Sequence, residues 1–258
     1  MEHNRNPRRI QAVDHAFEIL KALRDHGGLT VSELANEVDL TPGTVHTHLT
    51  TMQEHGVVQN TGDKYQVGMF MIPFGEHVRN NSRLFRAAKT EVDDLARETG
   101  ESVHLVVETL GREVLLYEEF GENAVGEDLY LRNKGSPGYN LHCSAAGKAI
   151  LAHVSEEKRN AILDGYDLTP QTTNTITDEA TLREELQEIH KEHVARNDEE
   201  QIDGVRAVGC PIRHREEVLG AISLSAPTSR LQGEQFQSTI PDLVAKSANI
   251  IEVEFQIQ

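Results

Sequence analysis

The residues best suited to chemistry lie in Leu141–Ala152, which reads Leu-His-Cys-Ser-Ala-Ala-Gly-Lys-Ala-Ile-Leu-Ala. Ser144 suits a helix N-cap. Ala145, Ala146 and Gly147 would then offer backbone N–H groups at a positive dipole end, with side chains small enough for an anion to come close. On spacing alone the stretch fits an anion cradle and an ordinary, tightly packed helix start equally well. Further on, Ala221-Ile222-Ser223-Leu224-Ser225 alternates as a strand, so Ser223 and Ser225 share a face. Two hydroxyls on one face suit a polar ligand; they also suit the wet side of an antiparallel sheet, the commoner case. His142 and Cys143 are adjacent, but adjacency does not bring a base to a thiol, and nucleophilic catalysis needs that contact. Nucleophile elbow, P-loop and dinucleotide fingerprint are all absent. Neither cysteine has a second at zinc-site spacing, and the close pairs His46/His48 and His190/His193 lack an evident third ligand. No catalytic residue, metal or cofactor is expected, and a binding protein ranks above the alternative of a small-metabolite enzyme with a helical appendage.

A second constellation lies near the N-terminus. Thr41 followed by Pro42 reads as an N-cap with proline in the first turn, opening a helix that buries Val45, Leu49 and Met52. Its opposite face holds Gly43, Thr44, Thr47, Thr50 and Thr51. A merely solvated face would more often carry Glu and Lys, because threonine is a poor surface helix former. Small polar side chains instead let a helix enter a DNA major groove and meet phosphates, base edges and thymine methyls. The candidate DNA contacts are Thr41, Gly43, Thr44, His46, Thr47, Thr50 and Thr51, with Lys64 on a following hairpin.

These residues need elements to hold them. Ile10, Val13, Phe17, Leu20 and Leu23 predict one face of a first helix ending at Gly27-Gly28. Thr30-Val31-Ser32-Glu33 is a capping-box pattern for a short second helix. After the threonine-rich helix, Val57–Gln59 and Tyr65–Val67 predict a hairpin. Three short helices, a tight turn and a hairpin make a winged helix-turn-helix, placed at residues 1–71. In residues 72–258, Pro73 predicts a helix start or kink, and Ser82 caps a helix that buries Leu84, Phe85, Ala88, Val92 and Leu95. The strands Val103–Thr109 and Glu113–Glu119 turn at Leu110-Gly111-Arg112, and Val205–Ile212 pairs with Val218–Ser225. Helices are expected at Ala145–His153, Ser155–Leu163, Asp178–His193 and from about Gly233. The fold class is α+β, with the second domain built around a mainly antiparallel sheet.

The chain of 258 residues carries 25 basic and 42 acidic groups, a net charge of −17, with only 8 lysines against 17 arginines. Acidic, lysine-poor surfaces are the habit of proteins from salt-loving organisms. In ~1 M salt the Debye length falls to ~3 Å, so this charge does not forbid DNA binding. It is also uneven, at −3 over residues 1–75 and −14 over the remainder. Two cysteines support no disulfide framework. No stretch of ~20 apolar residues is present, and Met1–Arg9 lacks the apolar core of a signal peptide. A soluble cytoplasmic protein with no membrane partner is expected.

Across Ile10 to Ile251 the chain resembles the IclR family of bacterial and archaeal regulators. The resemblance is carried by Gln11–Leu20, by Thr41–His46, by Leu141–Ala152, by Asn197–Glu200 running on to Gly204-Val205, and by Ala221–Pro227. It implies a GAF-like effector-binding domain, a linker helix, and a homodimer or homotetramer on roughly palindromic double-stranded DNA. Typical effectors are small carbon-source metabolites, often carboxylates or aromatic acids, so the expected role is transcriptional regulation of a catabolic pathway, as repressor or activator. By position the pocket would use Ala145 and Ala146 through their N–H groups, with Asn197, Ala207, Ser223 and Ser225. Two departures stand out. Asn197 and Ala207 replace the acidic residue and cysteine of some carboxylate-binding members, which implies a different or larger effector, such as a sugar-derived acid. Thr47 stands where the family often has arginine, which implies a different operator sequence.

Overall fold

The computed structural model describes residues 9–124, 140–165 and 167–257. They fall into two compact units, with the chain passing from one to the other at Val78/Arg79.

In the first unit, α1 (Gln11–His26), α2 (Val31–Glu37) and α3 (Pro42–Glu54) surround a core of Ile19, Leu23, Leu34, Val45, Leu49 and Met52. The capping box forms as the pattern predicts: Thr30 N–H donates to Glu33 at 2.8 Å, and Glu33 N–H donates to Thr30 Oγ1 at 3.3 Å. Thr41 caps α3 with Pro42 in its first turn. The hairpin of β1 (Val58–Thr61) and β2 (Lys64–Val67) leaves out Val57 and extends beyond the expected strands at the turn, to Thr61 opposite Lys64. It is tied back to the α1–α2 connection, because Leu29 and Tyr65 exchange backbone hydrogen bonds of 3.0 and 2.7 Å. One expectation is corrected. The buried face of α1 is Ile19, Ala22 and Leu23, with Ala16 and Leu20 beside them, whereas Ile10, Val13 and Phe17 are 68, 49 and 58% exposed. Its first turns extend past the three-helix core, so a stripe that is continuous in sequence is covered only at its C-terminal end. α4 (Met71–Asn81) follows, with Pro73 in its first turn, and buries none of its residues.

The second unit opens with α5 (Arg83–Thr99), capped by Ser82 and closed by Gly100 at φ +74°. Its sheet comprises β3 (Ser102–Thr109), β4 (Arg112–Phe120), β5 (Ala195–Asp198), β6 (Val205–His214) and β7 (Glu217–Pro227), in the order β4-β3-β7-β6-β5, antiparallel throughout. Leu110 and Gly111, at φ +52° and +77°, make the two-residue β3–β4 turn. β5 escapes a periodicity search because Arg196, Asn197 and Asp198 give it no apolar alternation. On one face of the sheet, α5 and α9 (Ile240–Ile257, entered through a π turn at Gln235–Thr239) bury Val103, Leu105, Val208, Cys210, Ile222 and Leu224. The other face carries α6 (Ala145–His153), preceded by a 3-10 turn at Leu141–Cys143, together with α7 (Glu156–Leu163) and α8 (Glu179–Glu192). There Val106, Ala195 and Ala221 pack against Ala146, Ile150, Leu182 and Leu186.

Candidate functional sites on the two units

The threonine-rich side of α3 faces away from the core. Gly43, His46, Thr47, Thr50 and Thr51 are exposed and Thr44 is half-buried. Their hydroxyls are already engaged with the helix itself. Thr47 donates to Gly43 O at 3.0 Å, Thr50 to His46 O at 2.9 Å and Thr51 to Thr47 O at 3.3 Å, while Thr44 and Thr41 share a 2.9 Å contact. A threonine bonded back to the i−4 carbonyl keeps oxygen lone pairs free to accept and leaves an exposed methyl on the side chain. Such a face can accept hydrogen bonds from base amines and pack on thymine methyls, with no charged group inside the contact. Lys64 stands exposed at the hairpin, beside the Gly62-Asp63 turn.

In the second unit, strand register gathers the expected ligand residues. Asn197 pairs with Ala207 and Ala207 with Ser225; one row over, Ala195 pairs with Gly209 and Gly209 with Ser223. Directly paired residues of antiparallel strands project to the same side, so all of these share the α6 face. A Cβ on Gly209 would lie 2.7 Å from the Ala145 carbonyl and 2.9 Å from the Ala146 nitrogen. The first turn of α6 therefore rests directly on β6, beside Ser223. Ser223 and Ser225 are only 6 and 7% exposed, so the wet-face alternative does not hold.

A second correction concerns Gly147. Its N–H donates to Ser144 Oγ at 2.9 Å and is not free for a ligand. Ala145 and Ala146 carry the first-turn amides that have no intrahelical acceptor. Asn197 is already committed to the backbone: its Nδ2 donates to Cys143 O at 2.5 Å and its Oδ1 accepts from Glu200 N–H at 3.1 Å. It braces the loop in front of α6 against the sheet edge.

Six charged or titratable groups on this side receive no role from sequence spacing. His104, paired with Ser223 through the β3–β7 register, places Nε2 3.0 Å from Ser225 Oγ and Nδ1 3.7 Å from the buried Glu118 carboxylate. Glu113 accepts a hydrogen bond from the Ser144 hydroxyl. Burial of this carboxyl pushes it up to about 7, against the lowering influence of that hydroxyl. Lys148 on α6 is fully buried, with its ammonium 2.6 Å from Glu185 and 2.6 and 2.8 Å from the two Glu200 oxygens. Burial raises the Glu200 carboxyl and the lysine opposes it. The only signal for His104 is its place in Ser-Val-His-Leu-Val, and a single polar residue in a strand does not say what stands opposite it.

Cys143 is sealed in. Its Sγ lies 3.2 Å from Asn140 O, and burial, with Glu113 adding to it, pushes the thiol up to about 12. His190 and His193 do gain a neighbour: His153 Nε2 lies 2.8 Å from His193 Nδ1, and the ring centroids of His153 and His190 are 4.9 Å apart. The Nδ1 atoms of His153 and His190 each face a backbone carbonyl. Among the described residues, no three His, Cys, Asp or Glu side chains are arranged to hold a metal ion. No helix among them is long and apolar enough to cross a membrane.

A winged helix-turn-helix followed by an α/β domain with an antiparallel sheet defines a DNA-binding regulator with a ligand-sensing module. The IclR helix-turn-helix domain matches residues 12–62, and the C-terminal domain of the bacterial transcriptional regulator IclR matches residues 76–252. The chain belongs to the IclR family of transcriptional regulators. It is 41% identical over 256 residues to a probable HTH-type transcriptional regulator, ArcR, of Halobacterium salinarum, covering 98% of this chain and 97% of that one. The crystal structure of the Thermotoga maritima IclR superposes with a TM-score of 0.70 at 27% identity, covering 96% of this chain and 99% of that one. An IclR homolog from Microbacterium hydrocarbonoxydans, solved in complex with 4-hydroxybenzoate, has the same fold, with a TM-score of 0.76 at 19% identity and coverage of 96 and 98%.

Proposed function

We propose that this protein regulates a catabolic pathway by binding roughly palindromic double-stranded DNA through α3, under the control of a small carboxylate or sugar-acid effector. Residues 1–71 act as the DNA-binding domain, and residues 72–258 as linker helix and effector-binding domain. The observation that carries the reading is the exposed side of α3, where the hydroxyls of Thr47, Thr50 and Thr51 are bonded back to the carbonyls of their own helix. Thr41, Gly43, Thr44, His46, Thr47, Thr50 and Thr51 contact DNA there, and Lys64 meets a phosphate from the wing. The effector carboxylate sits at the amides of Ala145 and Ala146, within reach of Asn197, Ala207, Ser223 and Ser225. The relative solved with 4-hydroxybenzoate supports an acid as the effector class. Working as a cytoplasmic binder and not as an enzyme accords with a buried Cys143 whose thiol is pushed up to about 12. The exposed apolar side chains of Ile10 at the N-cap of α1, Val13 and Phe17 of α1, and Ile72, Phe74 and Val78 of α4 support a homodimer or homotetramer.

Gel shifts on genomic fragments in high KCl test the DNA face. Thr44→Ala and Thr47→Ala are expected to weaken operator binding roughly tenfold each, on the scale of ~1–3 kcal/mol for a base contact, with unchanged thermal unfolding. Wild-type affinity for both variants refutes this face. Ser223→Ala combined with Ser225→Ala is expected to abolish effector response and to spare DNA binding.

A further inference from the structure

One row of paired residues crosses the sheet on its α6 side. Glu118 of β4 stands opposite His104 of β3, His104 opposite Ser223 of β7, and Ser223 opposite Gly209 of β6, on which the first turn of α6 rests. His104 and Glu118 are 8 and 7% exposed. The His104 ring lies between two oxygen groups, with Nε2 3.0 Å from Ser225 Oγ and Nδ1 3.7 Å from the Glu118 carboxylate. A titratable ring is thus built into the sheet one hydroxyl away from the proposed effector.

Proton counting gives this contact a consequence. The Ser225 hydroxyl has one hydrogen. A neutral imidazole with its proton on Nδ1, toward Glu118, presents a lone pair at Nε2, and the serine must donate to it. Ser225 then offers an effector only lone pairs, which oppose a carboxylate. With a second proton on the ring, Nε2–H donates to Ser225 Oγ, and the serine hydrogen is released to donate to a carboxylate oxygen. The Glu118 carboxylate beside Nδ1 favours that charged ring. The other groups around the site are already engaged. Lys148 of α6 is met by Glu185 of α8 and by Glu200 beyond β5, and Glu113 of β4 by the Ser144 hydroxyl. His142 faces the Thr169 carbonyl, and the Cys143 thiol, pushed up to about 12, stays neutral. β5, β6 and β7 contribute the uncharged Asn197, Ala207, Gly209, Ser223 and Ser225.

We propose that His104 is a positioning residue of the effector site, taking up a proton as an acid binds and so turning the Ser225 hydroxyl toward the bound carboxylate. One proton passes from solvent to the ring for each acid bound, and no other bond is made or broken. By linkage, affinity for the acid rises as pH falls, until the ring is already protonated in the free protein. The inference rests on the acid effector proposed above.

Calorimetric titration of the full chain in high KCl tests it, with gluconate, glycerate and 4-hydroxybenzoate as probes. Buffers of different ionisation heat report the proton uptake alongside the affinity. The wild type is expected to take up a proton with the acid, and to bind at least tenfold more weakly at about pH 9 than at about pH 6. His104→Gln keeps a nitrogen donor that does not titrate. It is expected to bind within about threefold of the wild type at pH 6, with neither the uptake nor the pH dependence. Glu113→Gln is expected to keep both, which separates the ring from the carboxyl raised to about 7. A wild-type affinity that is flat with pH, or an uptake that survives in His104→Gln, overturns the role of His104 and leaves the acid effector standing. If none of the probes binds the wild type at millimolar concentration, the acid-effector reading fails and takes this inference with it.

Discussion

Two buried charged groups beside the start of α6 have measurable consequences. Glu113 has its carboxyl raised from the ordinary glutamate range to about 7. For a raised acid the stabilising protonated form is fully present below the unfolded-state value near 4.5, and that stability is lost as pH climbs through about 7. Above neutrality the folded protein holds an unfavourable buried carboxylate. Glu113→Gln, which keeps a partner for Ser144, is therefore expected to be more stable than wild type at pH 8, by on the order of 1 kcal/mol. The advantage should vanish near pH 5. Thermal unfolding at constant KCl across that range is the check, and equal curves at both ends would disprove the assignment. Lys148 is the opposite case, a fully buried cation held by Glu200 and Glu185. Lys148→Met strands the Glu200 carboxylate and is expected to cost about 3–5 kcal/mol. Lys148→Met with Glu200→Leu is expected to recover most of that in urea unfolding. The sequence shows this lysine only as one polar residue in an apolar helix; its partners lie 37 and 52 residues away.

At the scale of elements, the proposed effector site depends on how closely α6 approaches β6. Gly209 makes that approach possible: the space its Cβ would take is filled by backbone atoms of Ala145 and Ala146. Backbone cannot swing aside as a side chain can, so Gly209→Ala is expected to push the helix start off the sheet. A cost of ~1–3 kcal/mol follows, with loss of effector response at unchanged operator affinity. Gel shifts with and without effector would show it, and a normal response would mean that the amides of Ala145 and Ala146 take no part. The helices and the hairpins joined by tight turns were legible beforehand, because caps, glycines and periodicity act within a few residues. β5 was not, since its four residues owe their strand geometry to β6 and not to their own composition. The α1 stripe misled for a related reason: amphipathicity tells which side is apolar, but not how much of it the same unit covers.

For the whole molecule, net charge governs behaviour. At −17, self-repulsion acts on the folded chain until salt screens it. The unfolding temperature is therefore expected to rise steadily with KCl between about 0.2 and about 3 M, and a flat or falling profile would contradict an acidic, salt-adapted surface. Sequence alone determined the two-part plan and the threonine-rich side of α3, as well as the order of the elements that form the second unit apart from β5. Each of these is set by contacts between near neighbours along the chain, which leave a periodic or capping signature. Tertiary structure decided the rest. It set His104 beside Ser225 and Glu118, closed Gly147 with Ser144, sealed Cys143 away and surrounded Lys148 with carboxylates. Those pairings come from strand register and helix-on-sheet packing between residues far apart in the chain, where local spacing carries no information.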